Sequence, residues 1–164
     1  NNAVAIYPQV EPLWVLYEAY SAAKNYQDAI DVKKRLLESG RLDDPRTYSL
    51  YLATFNTQIE IALELARQEI LNRTDVHTYD ALAWALTAAG FHQEAYDVGK
   101  RIVLEDTQDA RFFYHLSVIA QRAGFLDEAI KWHEKALTLK HMLLPSEKID
   151  LDNTLGLLGK SVLN

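Results

Sequence analysis

Apolar positions recur at helical spacing along most of the chain. Leu13, Leu16, Tyr17 and Tyr20 follow the i, i+3, i+4, i+7 rule, as do Tyr79, Leu82, Ala83 and Leu86. Phe113, Leu116, Ser117 and Ala120 repeat the spacing with one small polar member. Between these stripes lie partner segments carrying Ala29 with Leu36 and Leu37, Ala95 with Ile102 and Val103, and Ala129 with Ala136 and Leu137. The segments run to about 12–16 residues, a helical length, and alternation of period two is sustained nowhere. Breakers frame them. Pro12, Pro45 and Pro145 stand where helical patterns begin, and a first-turn proline gives up no useful N–H there. Gly40, Gly90 and Gly124 stand where patterns end, as left-handed helix closers. Asp44, Asp75, Asp109 and Ser146 occupy expected N-cap positions. The pattern predicts an all-α chain.

Ala29, Ala62, Ala95 and Ala129 are spaced 33, 33 and 34 residues apart, a period that marks an array of repeated hairpins. A shift of 34 superposes Asp75 on Asp109, Leu82 on Leu116, Ala89-Gly90-Phe91 on Ala123-Gly124-Phe125, and Glu94-Ala95 on Glu128-Ala129. Small residues at the repeating alanine let neighbouring helices approach closely. One hairpin of this size cannot bury its apolar face alone, whereas stacked hairpins share a core.

These residues resemble the tetratricopeptide-repeat pattern: an aromatic, a Leu with a small residue, a Gly, an aromatic, an acidic-Ala pair and a small-Leu pair. The likeness is strongest over 76–142. Over 12–40, Asn25-Tyr26-Gln27-Asp28-Ala29 stands in for the turn motif. Over 44–73, Tyr48, Tyr51, Leu52 and Phe55 supply the stripe, while the turn before Ala62 reads about two residues short of the pattern. The segment from Asp75 to Leu86 is similar to bacterial members. The resemblance implies one domain over 1–164, an α-solenoid of about four antiparallel helical hairpins in a right-handed superhelix. Its repeats would span 10–42, 43–75, 76–109 and 110–143, with a C-terminal capping helix over 146–162. On that last helix Leu151, Leu155, Leu158 and Val162 form one stripe. The opposite end has no comparable cap, because residues 1–11 are short and include Pro8. Together with the start at Asn1-Asn2 rather than Met, this favours an excised piece of a longer protein, or self-association through the N-terminal hairpin.

Charge and composition narrow the function. Lys and Arg number 17 against 23 Asp and Glu, a formal net charge of -6, so a nucleic-acid or anionic-membrane surface is disfavoured. With 0 Cys, disulfide scaffolds, thiolate metal sites and thiol catalysis are excluded. No apolar run approaches the ~18 residues of a membrane span, and no basic-then-apolar leader opens the chain. The compartment stays open. His133-Glu134 lacks the second histidine of a zinc peptidase, and His77, His92, His115, His133 and His141 fall on separate segments. His133 reads as a packed core residue. Phosphate-binding, dinucleotide-binding and nucleophile-elbow motifs are absent from the sequence. The carboxylate pairs Asp43/Asp44 and Glu105/Asp106 sit at predicted helix ends, where capping and solvation explain them. Asn72-Arg73-Thr74 has the form of a glycosylation acceptor, a tripeptide common by chance. Neither catalysis nor a metal or cofactor is expected.

What remains is binding. The family resemblance implies a concave wall made by the first helix of each hairpin, where a peptide or extended partner segment docks. At 100° per residue, positions one and five after each first core residue point away from the core stripe. These are Trp14 and Glu18, Asp80 and Trp84, Tyr114 and Val118. His77 and Arg111 lie earlier on the same face, and Thr87, Gln121 and Arg122 later. Trp and Tyr off a core stripe suit hot spots for a protein or peptide, an apolar or amphipathic segment in particular. The competing explanation is packing against the next hairpin or the chain's own tail. The family's chaperone-binding subtype holds a C-terminal carboxylate with Lys, Asn and Arg. Here those places carry Trp14, Glu18, Tyr48 or its neighbours, His77 and His115, which disfavours that ligand. The first reading is an interaction scaffold. A purely structural or self-assembling repeat module, and an accessory domain of an enzyme whose catalytic part lies elsewhere, are the alternatives.

Overall fold

The computed structural model describes residues 9–104 and 107–161. Among them run nine α-helices: α1 (Val10–Ala22), α2 (Tyr26–Asp43), α3 (Pro45–Thr54), α4 (Ile59–Asn72), α5 (Val76–Ala88), α6 (His92–Leu104), α7 (Ala110–Arg122), α8 (Leu126–Thr138) and α9 (Pro145–Ser161), with a 3₁₀ turn at Lys140–Met142 before the last. The helices pair in chain order, α1 with α2, α3 with α4, α5 with α6 and α7 with α8. The short turns make each pair an antiparallel hairpin. The first helices α1, α3, α5 and α7 lie against one another in succession, while α2, α4 and α6 each meet the next first helix.

Three expected N-caps are realised. The Asp44 carboxylate accepts from Thr47 N at 3.2 Å, Asp75 from Thr78 N at 3.0 Å, and Asp109 from Arg111 N at 2.8 Å. Each satisfies a first-turn N–H that has no helical partner. Ser146 is not a cap. It lies inside α9, and Glu147 reaches back instead, its Oε2 accepting from Leu144 N at 2.8 Å.

All four hairpins turn through the same hydrogen-bond pattern. The residue after the first helix's last turn is left-handed in each: Lys24 (φ 58), Asn56 (φ 49), Gly90 (φ 83) and Gly124 (φ 89). The next N–H reaches back to the helix, Asn25 to Tyr20 O, Thr57 to Leu52 O, Phe91 to Leu86 O and Phe125 to Ala120 O, at 2.9–3.0 Å. This is the Schellman closure, which satisfies orphan carbonyls and reverses the chain. Gly90 and Gly124 thus close helices as predicted. Gly40 does not: α2 continues through it to Asp43. Its missing Cβ makes room for the Tyr48 ring, whose Cδ2 would lie 2.5 Å from an added methyl.

The second hairpin has the same turn on a shorter first helix. Helix α3 has 10 residues, where α5 and α7 have 13. A second left-handed residue, Gln58 (φ 48), follows Asn56 and pushes Ala62 one place along. The deficit seen in the sequence therefore lies in the helix, and the turn itself is longer.

One continuous apolar core extends from Val10 to Leu151 through all four hairpins. The repeating alanines are all at most 4 % exposed, and Ser49 Oγ donates to the Ala62 carbonyl at 2.8 Å across one such close approach. The small-Leu pairs divide. Leu36, Ile102 and Ala136 are buried, whereas Leu37, Val103 and Leu137 face outward. Helices α5 and α7 are buried on nearly every side, because hairpins flank them both ways. The final helix does more than cap an end: α9 packs on α8 and α7 and also reaches α1. The side chains of Leu155 and Leu158, together with Val162 and the pair Glu105/Asp106, lie outside the described residues.

Candidate functional site

Aligned on the residue that opens each first helix, the four hairpins present columns of equivalent positions. Two residues beyond Gln9, Asp44, Asp75 and Asp109 stand Glu11, Arg46, His77 and Arg111. Five beyond stand Trp14, Ser49, Asp80 and Tyr114, and nine beyond stand Glu18, Ala53, Trp84 and Val118. A helical step of 100° puts these columns on one face.

The first column borders a cleft of about 320 Å³, lined by Glu11, Arg46, His77, Asp80 and Arg111 together with Glu147 of α9. The carboxylates of Glu11, Asp80 and Glu147 share it with the guanidinium groups of Arg46 and Arg111. Arg46 donates to Asp75 at 3.3 Å on the rim. Partial burial pushes the Asp75 carboxyl up, but bonds from the Thr78 amide and hydroxyl, with Arg46 and Arg73 nearby, outweigh this and hold it below the usual carboxylate range. His77 is exposed and its ring leans on Phe112 at 5.2 Å.

Between the columns, α9 lies on the wall. Glu18, 4 % exposed, accepts from Trp14 Nε1 at 2.6 Å and from the Ser146 amide and hydroxyl at 2.8 Å each. Arg111 donates from Nε to Glu147 at 2.7 Å and from Nη1 to Glu11 at 3.2 Å, its guanidinium 5.1 Å from the Trp14 ring. Burial works against the Arg111 charge, but Glu147, Glu11 and Asp80 outweigh it and hold the group above its ordinary value. Tyr114 donates to Asp150 at 3.4 Å, and burial, then the Asp150 and Glu147 charges, push its hydroxyl well above the tyrosine range. It stays a donor at any physiological pH.

Beneath this layer Asp80 faces His115, Oδ1 to Nδ1 at 2.8 Å, both side chains within 1 % of full burial. The Nδ1–H tautomer donates to the carboxylate, which leaves Nε2 buried with no partner. Trp84 stacks on the His115 ring at 4.0 Å and anchors its indole N–H on Thr54 Oγ1 at 3.0 Å.

A second cleft, of about 310 Å³, opens at the C-terminal ends of the first helices, lined by Ala53, Asn56, Trp84, Thr87, Val118, His92 and Arg122. The ten predicted residues therefore divide. His77, Asp80 and Arg111 border the first cleft, and Trp84, Thr87 and Val118 the second. Trp14, Glu18 and Tyr114 are covered, with α9 supplying the hydroxyl, amide and carboxylate that meet Glu18 and Tyr114. Gln121 is half-buried and borders neither cleft. Trp14, Glu18, Asp80 and Tyr114, read from the sequence as partner-facing, are thus out of solvent: the chain's own tail meets Glu18 and Tyr114, while Trp14 packs on Tyr51 and Phe55 and Asp80 on His115.

Sequence reasoning missed Glu11, Arg46, Ser146, Glu147 and Asp150. Glu11 and Arg46 were within reach, since each stands at the place of His77 and Arg111 counted from the helix start. The α9 residues had no such signal, because their partners lie 36 to 128 positions away. Among the described residues there is no cluster of three or more His, Asp or Glu able to hold a metal ion. No helix among them is long and apolar enough to cross a membrane. In comparisons with known proteins, no family model, no curated protein and no solved structure matches the chain.

Proposed function

We propose that this chain is a protein-interaction scaffold of the tetratricopeptide-repeat type, a right-handed α-solenoid that binds a peptide or partner segment on the concave face of its first helices. The observation that carries the reading is the column Glu11, Arg46, His77 and Arg111, one residue from each hairpin, around a single cleft. A wall that takes one polar side chain from each repeat reads an elongated ligand, since each repeat contacts a different stretch of it. Curvature supports the concave assignment: first helices touch in succession while second helices meet the following hairpin, which draws the first-helix side inward. The recurrent hairpin closure supports the repeat assignment.

The test is crosslinked affinity capture with quantitative mass spectrometry, comparing the native chain with a His77→Glu, Arg122→Glu variant that changes one residue at each cleft. A partner held by the native chain and lost by the folded variant is the expected result. An identical set of captured proteins from both would overturn the reading. One observation favours a second reading, self-assembly: Val15, Tyr26, Ile30 and Leu37 of the first hairpin are 39–64 % exposed. Light scattering that shows mass rising with concentration, and a return to monomer in Ile30→Lys, would favour it.

A further inference from the structure

Helix α9 meets the rest of the molecule through the buried Leu151 and, along the wall of first helices, through a run of polar contacts. Its inward face includes Glu147 and Thr154, at 1 % and 7 % exposure, beside Leu151, while Ile149 is 62 % exposed. Its polar contacts with the wall follow one another in order. Glu18 takes the Ser146 amide and hydroxyl, Arg111 takes the next side chain, Glu147, and Tyr114 takes Asp150 one turn on. Only the first turn of a helix carries free N–H groups and the positive end of the helix dipole, so a buried carboxylate such as Glu18 is suited to reading that end. Arg111 offers a planar fork already aligned by Trp14 and Glu11. Each polar group of this interface has a partner when α9 is docked, and each regains water when it lifts. The polar part of such an interface exchanges one occupant for another at little net cost, and an incoming helix must replace Leu151 with an apolar residue of its own.

We propose that α9 is an internal occupant of the binding face and that its shape specifies the partner: an acidic amphipathic helix whose N-terminus docks on Glu18. That partner carries a hydroxyl residue in its first turn, an acid at the next position for Arg111, and a second acid three residues further for Tyr114, the spacing of Ser146, Glu147 and Asp150. The proposal rests on the binding reading above and adds the chemistry of the ligand.

The probe is a fluorescein-labelled synthetic peptide with the sequence of residues 142–156, titrated by fluorescence anisotropy against the full chain and a full-chain Glu147→Lys, Asp150→Lys variant. Reversing these charges repels the internal helix from Arg111 and leaves the wall unaltered. A ligand that must wait for an occupied site binds more weakly by the fraction of time the site is open, so the variant is expected to bind about tenfold more tightly or better. A peptide carrying the same two reversals is expected not to bind. A folded variant that ignores the native peptide, yet captures the same partner as the wild-type chain, overturns the assignment of α9 and leaves the scaffold reading standing. A folded variant that captures neither overturns both. If the variant loses its helical circular dichroism, hydrogen exchange on the wild-type chain decides. Millimolar peptide should speed exchange of amides 147–154 by about tenfold as α9 is displaced, and unchanged exchange overturns the proposal.

Discussion

Gly40→Ala sets two effects of known size against each other. Gly40 lies inside α2, where alanine is favoured over glycine by about 1 kcal/mol through backbone entropy. A methyl there would stand 2.5 Å from Tyr48 Cδ2 and 2.9 Å from Cγ. Ordinary carbon contacts lie near ~3.5 Å, so the root of the ring has to retreat by about 1 Å. The ring cannot simply swing away, because Cγ is tied to its own backbone and the side chain is 5 % exposed, stacked on Tyr51 with planes 9° apart. Overpacking of this kind costs about 1–3 kcal/mol, and an off-rotamer ring adds about 1 kcal/mol. The clash wins: the substitution should cost about 1–3 kcal/mol net, a fall in Tm of about 2–12 °C for a chain of this length. Urea denaturation measures the first and a thermal melt the second. The sign should reverse in a Tyr48→Ala background, where the clashing ring is gone and helix propensity acts, worth about +0.5–1 kcal/mol. A neutral or stabilising Gly40→Ala in the native background would refute the reasoning. So would a cost that persists after Tyr48 is removed.

Arg111→Met should destabilise by about 3 kcal/mol in urea unfolding, because Glu147 is left buried without its cation, while Arg111→Met with Glu147→Met recovers most of the loss. Equal losses in the single and double variants would show that the pair is not coupled. Lys24→Gly should raise stability by about 0.5–1 kcal/mol by relieving a left-handed lysine, and Asn56→Gly by less, since asparagine tolerates that conformation. A thermal melt in which the asparagine change stabilises more would contradict this account of the turns. His133 is 1 % exposed with both ring nitrogens unpartnered, and burial lowers its pKa from 6.5, a cost that the Asp152 and Glu134 charges only partly offset. Below pH 6.5 the unfolded chain takes up a proton that the folded ring resists, so stability falls as pH drops towards the lowered value. His133→Leu should flatten that slope, by at most about 1.4 kcal/mol per pH unit, and an unchanged slope between pH 7 and 5 would sink the assignment.

The repeat was legible because it is local. Proline and aspartate at helix starts, glycine at two closures and an alanine every 33 or 34 residues each act within a few positions of themselves. Where the code substitutes a residue type, the reading blurs. Lys24 and Asn56 take the left-handed place of glycine, and the second repeat hides its short helix behind an Ala62 that still falls near the period. Gly40 misled for the opposite reason. A glycine can be required by its own dihedral angles or by a neighbour's bulk, and only the position of the Tyr48 ring separates the two.

The candidate face divides along the same line. Which residues share it follows from a helical step of 100° per residue, so the amino-acid order alone places Trp14, Glu18, Asp80, Trp84, Tyr114 and Val118 together. What covers them is not written there. Glu18 meets Ser146 across 128 residues of chain, and Arg111 lies between Glu11 and Glu147 at separations of 100 and 36. Contacts this distant depend on how four hairpins stack and where that stack directs the following helix. How the hairpins pack on one another decides whether α9 extends past the last hairpin or folds back across the first helices. The sequence by itself determined the helices, their pairing and the face. Tertiary structure alone decided that the chain's own tail lies on that face, because that outcome depends on how segments far apart in the chain pack together and on no local segment.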